Sequence, residues 1–328
     1  MRDPRPAEGK RRRPRIDLSA FIRLTELADY FVPLMIRAVA SLGVADHLAQ
    51  GPRPVAALAR ETRTHAPSLY RALRALACCG VFAELTPGTF ALTPLADLLR
   101  TDHPLSLRDA YRLTPADLAA WADLRYSLCT GASAFEHVHG QSLRAYLAAR
   151  PAESAQFNRS MQALTRAEIR GCLAAYDWAR IRTVVDVGGG SGAFLATLRS
   201  AYPAMHGVLV DQPDAGGGAA AVLEESGADA YVFNRVLYRW DDQQAVHLLG
   251  AVRAAMTRQS RILVIEPVAG TGDGAEPGPL LDVVCLVMDG GRVRREDEFA
   301  ELFRAAGLAL AGVTPAGLSS IVEGRLLV

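Results

Sequence analysis

Apolar residues recur at helical spacing through the first fifty residues of the chain. Between Leu18 and Gln50 they return every three or four positions, which predicts two long helices with a break at Pro33. Much of this surface is apolar on all sides, as is typical of a subunit interface. The pattern then predicts a helix after Pro54, a turn, a second helix over residues 66–79 and a short hairpin. This order of elements is that of a winged helix.

Helical patterns continue from residue 106 to residue 176. They predict helices over residues 106–113, 114–130, 142–147 and 151–176. Thr114, three positions before Asp117, is typical of a helix N-cap. His137 and His139 lie in a predicted loop, and without a further ligand they do not indicate a metal site.

From Arg182 onward the pattern alternates between strands and helices. Strands are predicted over residues 183–187, 207–211, 230–234, 262–266, 308–313 and 320–326. This alternation predicts a Rossmann-like α/β domain with an open, mainly parallel sheet and helices on both faces. Ligands of such sheets bind at the carboxyl ends of the strands.

Composition and charge narrow the function classes. The chain has 328 residues, half of them apolar, which favours a two-domain globular protein. Its formal net charge is only +1, so the protein has no overall positive charge that would attract nucleic acid or membranes. Residues 16–105 hold equal numbers of arginines and acids, which disfavours DNA binding by the winged helix. The five cysteines lack zinc spacing, and no stretch is long enough to span a membrane, so we expect a reduced, cytoplasmic setting.

The boundaries follow from these patterns. We predict a disordered basic tail over residues 1–15, a winged-helix domain over 16–105, a helical linker and pocket lid over 106–176, and the Rossmann-like domain over 177–328.

A glycine cluster ends the first strand of the predicted sheet. Asp186 stands before four glycines, which are Gly188, Gly189, Gly190 and Gly192. A strand, a tight turn and a helix N-terminus in this order form a ligand site. The spacing also satisfies a dinucleotide pattern, but Asp186 would repel phosphate and attract an ammonium group. With Asp211 as an acceptor for ribose hydroxyls, these residues favour an adenosyl ligand without a pyrophosphate.

An ordered set of motifs from about Asp17 to the C-terminus resembles the S-adenosylmethionine-dependent small-molecule O-methyltransferases. The motifs lie at residues 185–192, 210–213, 237–242, 265–267 and 290–294. They resemble both the caffeate-type plant enzymes and the bacterial anthracycline-tailoring branch, which includes a relative that uses the fold for hydroxylation. The resemblance implies S-adenosylmethionine as cofactor, an aromatic or polyketide acceptor, and a homodimer formed through the N-terminal winged-helix dimerisation domain.

The resemblance also assigns residues to the site. The cofactor-binding positions that it implies are Asp186, Gly188, Gly189, Gly190, Gly192, Asp211, Gln212, Asn234 and Met161. The acceptor pocket that it implies is lined by Trp121, Tyr126, Phe157, Met288 and Arg292. Plain core packing explains Met161 and Trp121 equally well.

The base position departs from the family pattern. Tyr238 stands where the plant enzymes have a histidine, and Val293 where they have a supporting glutamate, so a histidine-driven mechanism is excluded. The remaining catalytic candidates are Tyr238, Arg239 and Glu266. A neutral tyrosine is a poor base near pH 7, whereas Arg239 can stabilise a developing phenolate. This combination points to an acceptor that ionises unaided.

The segment over residues 212–229 is short, with room for one helix over residues 218–226. The family places an edge strand and an adenine-binding segment there, so we expect one strand fewer and weaker or lost cofactor binding. Three functions remain open: O-methyl transfer; a repurposed methyltransferase fold that performs cyclisation, decarboxylation, hydroxylation or rearrangement; and a non-catalytic dimeric partner.

Overall fold

A computed structural model describes residues 17–110, 114–210, 227–270 and 277–327. The chain divides into two compact units, Met1–Leu95 and Ala96–Val328. Among the described residues, no helix has the length and hydrophobicity that crossing a bilayer requires.

The first unit contains the predicted helices and hairpin. Its helices are α1 (Leu18–Ala28), α2 (Phe31–Ser41), α3 (Val55–Thr62) and α4 (Ala66–Cys78). Its strands are β1 (Arg53–Pro54), β2 (Phe82–Thr86) and β3 (Thr89–Leu92), which form an antiparallel sheet in the order β1-β3-β2. The predicted sequence of helix, turn, helix and hairpin is confirmed.

The break between α1 and α2 falls at Asp29 and Tyr30, and the prediction of a break at Pro33 is wrong. The carboxylate of Asp29 accepts a hydrogen bond from the N–H of Phe31 over 2.6 Å. Pro33 lies in the first turn of α2, where a missing N–H costs no helical hydrogen bond. Large apolar side chains on these helices are exposed, namely Leu18, Phe21, Ile22, Leu24, Leu27 and Phe31.

Short helices precede one long helix in the next part of the chain. These are α5 (Pro94–Asp97), α6 (Pro115–Ala122), α7 (Leu124–Thr130), α8 (Ala134–His139), α9 (Leu143–Ala148) and α10 (Pro151–Ala175). The N-cap at Thr114 is confirmed as a capping box with Asp117.

Three predictions about this region need correction. Residues 106–110 form coil and a turn instead of a helix, and the rest of the predicted 106–113 helix lies outside the described residues. The predicted 114–130 helix is two helices, divided at Asp123. His137 and His139 belong to α8 and not to a loop. This helix, capped by Ser133, has only six residues, which is too short for a clear apolar period in the sequence.

The described residues of the second unit form a central six-stranded mixed sheet. Its strands are β4 (Thr183–Val187), β5 (His206–Val210), β6 (Ala230–Asn234), β7 (Arg261–Glu266), β8 (Leu308–Ala316) and β9 (Ser319–Leu326), in the order β5-β4-β6-β7-β9-β8. The pairings among β4, β5, β6 and β7 are parallel, whereas β9 is antiparallel to both of its neighbours. All six strands were predicted, with boundaries shifted by up to three residues.

Helices cover both faces of this sheet, as predicted. The further helices among the described residues are α11 (Ala193–Ala201), α12 (Asp242–Ala255), α13 (Pro277–Met288) and α14 (Glu296–Ala305). Buried residues of α12 and α14 pack on one face, and buried residues of α10 and α11 pack on the other. Among the described residues β5 forms an edge of the sheet. Asp211, Gln212 and the predicted helix over residues 218–226 lie outside the described residues.

Candidate active site

The glycine loop joins the carboxyl end of β4 to the start of α11. Gly188, Gly190 and Gly192 have φ values of 76°, 54° and 71°, in the left-handed region that favours glycine. The N–H of Gly188 donates to the carbonyl of Val210 over 2.7 Å, so the loop starts tightly against the end of β5. Gly192 is the N-cap of α11. The sequence therefore produces the predicted strand, tight turn and helix N-terminus.

Asp186 lies directly beneath this loop and is fully buried. A Cβ atom on Gly189 would lie 2.2 Å from Oδ2 of Asp186, so only glycine fits above the carboxylate. By contrast, a Cβ atom on Gly190 would meet nothing within 4 Å. The loop thus combines a buried negative charge with an open backbone surface, which fits a ligand that carries a cationic group.

Asn234 ends β6, two strands from the edge of the sheet and adjacent to β4. Within the described part of the chain, Oδ1 of Asn234 is buried without a hydrogen-bond partner. Buried polar atoms of native proteins are almost always paired, so this oxygen is suited to a donor group of a bound ligand. The orphaned oxygen and the glycine loop together fit the S-adenosylmethionine site that the motifs imply.

Helix α10 contacts the glycine loop through a side-chain hydrogen bond. Nε2 of Gln162 and Oγ of Ser191 are 3.1 Å apart. Met161, predicted to face the cofactor, precedes Gln162 on α10 and is half-buried. Sequence reasoning missed the contact between Gln162 and Ser191, because Gln162 belongs to no recognisable motif and is 29 positions from Ser191.

The segment over residues 236–240 carries two of the three catalytic candidates. Leu237–Arg239 forms one short 3-10 turn, and Tyr238 within it is buried. Oε2 of Glu266, at the end of β7, accepts the backbone N–H of Tyr238 over 3.1 Å. A Cβ atom on Gly291 would lie 2.2 Å from the carbonyl oxygen of Tyr238, so the backbones approach closely there.

Arg294 fixes the same segment from the other side. Its side chain is fully buried and donates to the carbonyls of Leu237 and Trp240, each over 2.9 Å. Its Nε donates to Oδ1 of Asp242 over 2.9 Å. The motif that contains Arg294 was recognised in the sequence, but the role of Arg294 itself was not predicted.

Burial controls the protonation of the two buried candidates. Burial raises the pKa of Tyr238, and the positive charges of Arg235 and Arg239 only partly oppose it. Burial likewise raises the pKa of Glu266 to about 7, against the opposing charge of Arg294. Tyr238 is therefore a neutral hydroxyl at physiological pH. Oε2 of Glu266 accepts a backbone N–H, whereas Oε1 is buried without a partner among the described residues.

Four of the five predicted acceptor residues lie against one apolar cluster. Trp121, Tyr126, Phe157 and Met288 pack on a buried core made by Ala116, Ala120, Ala134, Phe135, Leu143 and Val287. The structure places Arg292 elsewhere, because its guanidinium pairs with Asp242 over 3.2 Å and with Glu298.

Arg239 ends the 3-10 turn, and its side chain reaches this aromatic cluster. Its Cζ is 5.7 Å from the ring centroid of Phe157, and its guanidinium pairs with both carboxylate oxygens of Asp289, each over 3.3 Å. The pairing orients a cation at the rim of the aromatic cluster. No group of three metal-binding side chains occurs among the described residues.

Comparison with known families assigns both units. A model of the O-methyltransferase dimerisation domain matches residues 25–102, and a model of the O-methyltransferase domain matches residues 121–309. The chain belongs to the O-methyltransferase family. It is therefore a methyltransferase-type enzyme, the family supports S-adenosylmethionine as cofactor, and the dimerisation domain supports a homodimer.

Individual relatives cover nearly the whole of this O-methyltransferase. A phenazine O-methyltransferase from Lysobacter antibioticus is 36% identical over 93% of this chain and 95% of its own. The crystal structure of an O-methyltransferase from neocarzinostatin biosynthesis, in complex with S-adenosyl-L-homocysteine and 1,4-dihydroxy-2-naphthoic acid, is 35% identical with a TM-score of 0.73, and the match covers 93% of this chain and 98% of that one. An aclacinomycin 10-hydroxylase from Streptomyces purpurascens is 31% identical over 92% of this chain and 87% of its own.

Proposed function

We propose that this O-methyltransferase methylates a ring hydroxyl of a planar aromatic natural product of the polyketide type. One observation carries the proposal: a single helix, α10, contacts both halves of the site. Gln162 binds the glycine loop, and Phe157 lies in the aromatic cluster. These residues are five positions apart, or about 7.5 Å along the helix axis, which is comparable to the size of an aromatic ring system.

The cofactor half is proposed to use the positions that the motifs imply. Bound S-adenosylmethionine supplies an electrophilic methyl group on its sulfonium. Asp186 attracts the ammonium end of the ligand, the open face of the glycine loop admits its backbone, and Asn234 accepts one of its donors. Met161 faces the reacting end, Asp211 binds the ribose, and Gln212 is a further cofactor-binding position.

The acceptor half is proposed to favour phenols that are already acidic. Tyr238 is held neutral by burial, so it does not remove the hydroxyl proton. Arg239, oriented by Asp289 beside Phe157, stabilises a phenolate that forms by loss of the proton to water. The relatives named for phenazine and naphthoic acid acceptors support a flat, fused-ring substrate.

A series of hydroxynaphthoates and hydroxyphenazines of graded acidity tests this function. S-adenosylhomocysteine release is measured against pH for each acceptor. We expect the rising limb of each profile to move with the pKa of the acceptor, because no group of the protein removes its proton. A limb at one pH for all acceptors would show an enzymatic base and contradict the proposal. Absence of transfer to the whole series would contradict the substrate class.

The second candidate is a repurposed reaction, such as hydroxylation, cyclisation, decarboxylation or rearrangement. The observation that favours it is the neutral, buried Tyr238 at the base position, together with the likeness to a hydroxylase of the same fold. The short stretch after β5 adds to this, since fewer adenine contacts would weaken cofactor binding. Product formation without stoichiometric S-adenosylhomocysteine would identify this alternative.

A further inference from the structure

Arg235 has a backbone conformation that is unusual for its residue type. It follows Asn234 at the carboxyl end of β6 and has φ 58°, in the left-handed region. Among the described residues outside glycine, only Arg63 shares a positive φ. Outliers of this kind persist where the surrounding structure holds them, and they concentrate at functional sites.

A buried ion pair holds the Arg235 side chain. Nη1 of Arg235 and Oε1 of Glu168 are 2.6 Å apart, and Oγ of Ser319 donates to the same oxygen over 3.0 Å. The Glu168 side chain is 4% exposed and that of Arg235 is 12% exposed. The contact therefore joins three segments: helix α10, the end of β6 and the start of β9.

This pair is poorly arranged for stability alone. Oε2 of Glu168 and Nε of Arg235 are buried without partners in the part of the chain that the structure describes. Incompletely bonded ion pairs in the interior often contribute less stability than apolar side chains of similar size. A left-handed arginine in such a pair indicates a requirement other than stability.

A second contact of the Arg235 side chain, with the ring of Tyr238, indicates what this requirement is. Its Cζ lies 5.5 Å from the ring centroid of Tyr238, within the range of a cation–π contact. Arg235 thus stands between Asn234 of the cofactor half and Tyr238 of the acceptor half. Its anchor, Glu168, is on the helix that carries Phe157, Met161 and Gln162.

We infer that Arg235 is a positioning residue: anchored by Glu168, it fixes the ring of Tyr238 and so sets the acceptor relative to the helix α10. The inference rests on the proposed function for its catalytic consequence, but the orientation of the Tyr238 ring is independent of it. Glu168 and Arg235 act as one unit, and a change in either releases the same ring.

Arg235→Gly is the sharpest variant, because glycine adopts the left-handed conformation freely while losing the guanidinium. Glu168→Gln keeps the size of the anchor and removes its charge, and it serves if Arg235→Gly does not fold. Arg235→Lys keeps the charge and is the conservative rescue. The matched control is Arg261→Met. It breaks a similar cluster of Glu323, Tyr176 and Arg261, which lies at the start of β7 and so at the other end of the parallel strands from Arg235.

Two readouts separate positioning from plain stability. In protein that contains 3-fluorotyrosine, the ¹⁹F resonance of residue 238, assigned with Tyr238→Phe, reports the ring without any reaction. We expect it to shift in Arg235→Gly and Glu168→Gln and to stay in place in Arg261→Met. We also expect kcat/KM for the acceptor to fall by about tenfold or more, while the Kd for S-adenosylhomocysteine changes by less than about threefold. Arg235→Lys should recover part of the loss.

An unchanged Tyr238 resonance in both pair variants would overturn the inference, as would a lower Tm with unaltered kcat/KM. A shifted resonance in a protein without transferase activity would instead leave the positioning role standing and contradict the proposed function.

Discussion

The backbone N–H of Tyr238 donates to Oε2 of Glu266 over 3.1 Å, at the carboxyl end of β7. The glutamate that the family resemblance places among the catalytic candidates thus binds the main chain of the segment that carries Tyr238 and Arg239. Its structural contact has a consequence for stability, because the carboxyl group is completely buried.

The wild-type protein should lose stability as the pH rises toward about 7, and Glu266→Gln should remove this loss. Burial raises the pKa of Glu266 from 4.5 to about 7, so the folded state holds this proton more tightly than the unfolded state. The resulting contribution is complete below pH 4.5 and declines as the pH rises through about 7. Thermal unfolding should show the variant gaining on the wild type between pH 5 and pH 8, by on the order of 2 kcal/mol. Parallel curves for the two proteins would contradict this assignment.

Arg294→Met should be among the most destabilising arginine substitutions. It removes the side-chain donor to the carbonyl of Trp240 and one of the two donors to the carbonyl of Leu237, and it breaks the ion pair with Asp242. We expect a cost of about 3 kcal/mol or more in urea unfolding. Arg292→Met is the matched control two residues away, where a half-exposed ion pair contributes about 1 kcal/mol or less. Equal costs for the two variants would refute the bracing role of Arg294.

Gly189→Ala should damage the cofactor half of the site. The added Cβ would approach Oδ2 of Asp186 to 2.2 Å and force the carboxylate to move. Calorimetry should show binding of S-adenosylhomocysteine weakened by about tenfold or more. Gly250→Ala, in the interior of α12 with nothing within 4 Å of the added atom, should leave binding unchanged and raise stability by about 0.5–1 kcal/mol. Retained affinity in Gly189→Ala would show that Asp186 does not face the ligand.

Arg239→Met should affect the acceptor and not the cofactor. Loss of the cation beside Phe157 removes the stabilisation of a phenolate, and kcat/KM should fall by about a hundredfold. Binding of S-adenosylhomocysteine should stay the same. The exposed Arg258, replaced by Met, controls for the loss of a positive charge. If only the KM for the cofactor rose, the assignment of Arg239 to the acceptor half of the site would be contradicted.

Local signals were sufficient to predict much of this fold. The β4 strand has its predicted boundaries because Thr183–Val187 is a short apolar run that ends at glycines. The capping box of Thr114 depends on residues only three positions apart. The break before α2 was misplaced because a proline was given more weight than the Asp29 side chain, although proline is tolerated in a first turn.

The site was predicted less completely, for a physical reason. The glycine positions and Asp186 belong to a recognisable motif. The aromatic residues were assigned by the family resemblance, and the structure brings them together. Glu168 and Arg235 are 67 positions apart, and nothing in either segment indicates that they meet. The left-handed Arg235 is likewise hidden, because sequence patterns lead one to expect glycine there.

Calorimetric titration of the intact protein with S-adenosylmethionine and S-adenosylhomocysteine tests the central claim most directly. The account predicts binding of both in the micromolar range. It also predicts a loss of about tenfold or more in Asp186→Asn, and no loss in Asp177→Asn, whose side chain is exposed. A folded wild-type protein that binds neither ligand, or an Asp186→Asn variant with unaltered affinity, would contradict a cofactor site at the glycine loop.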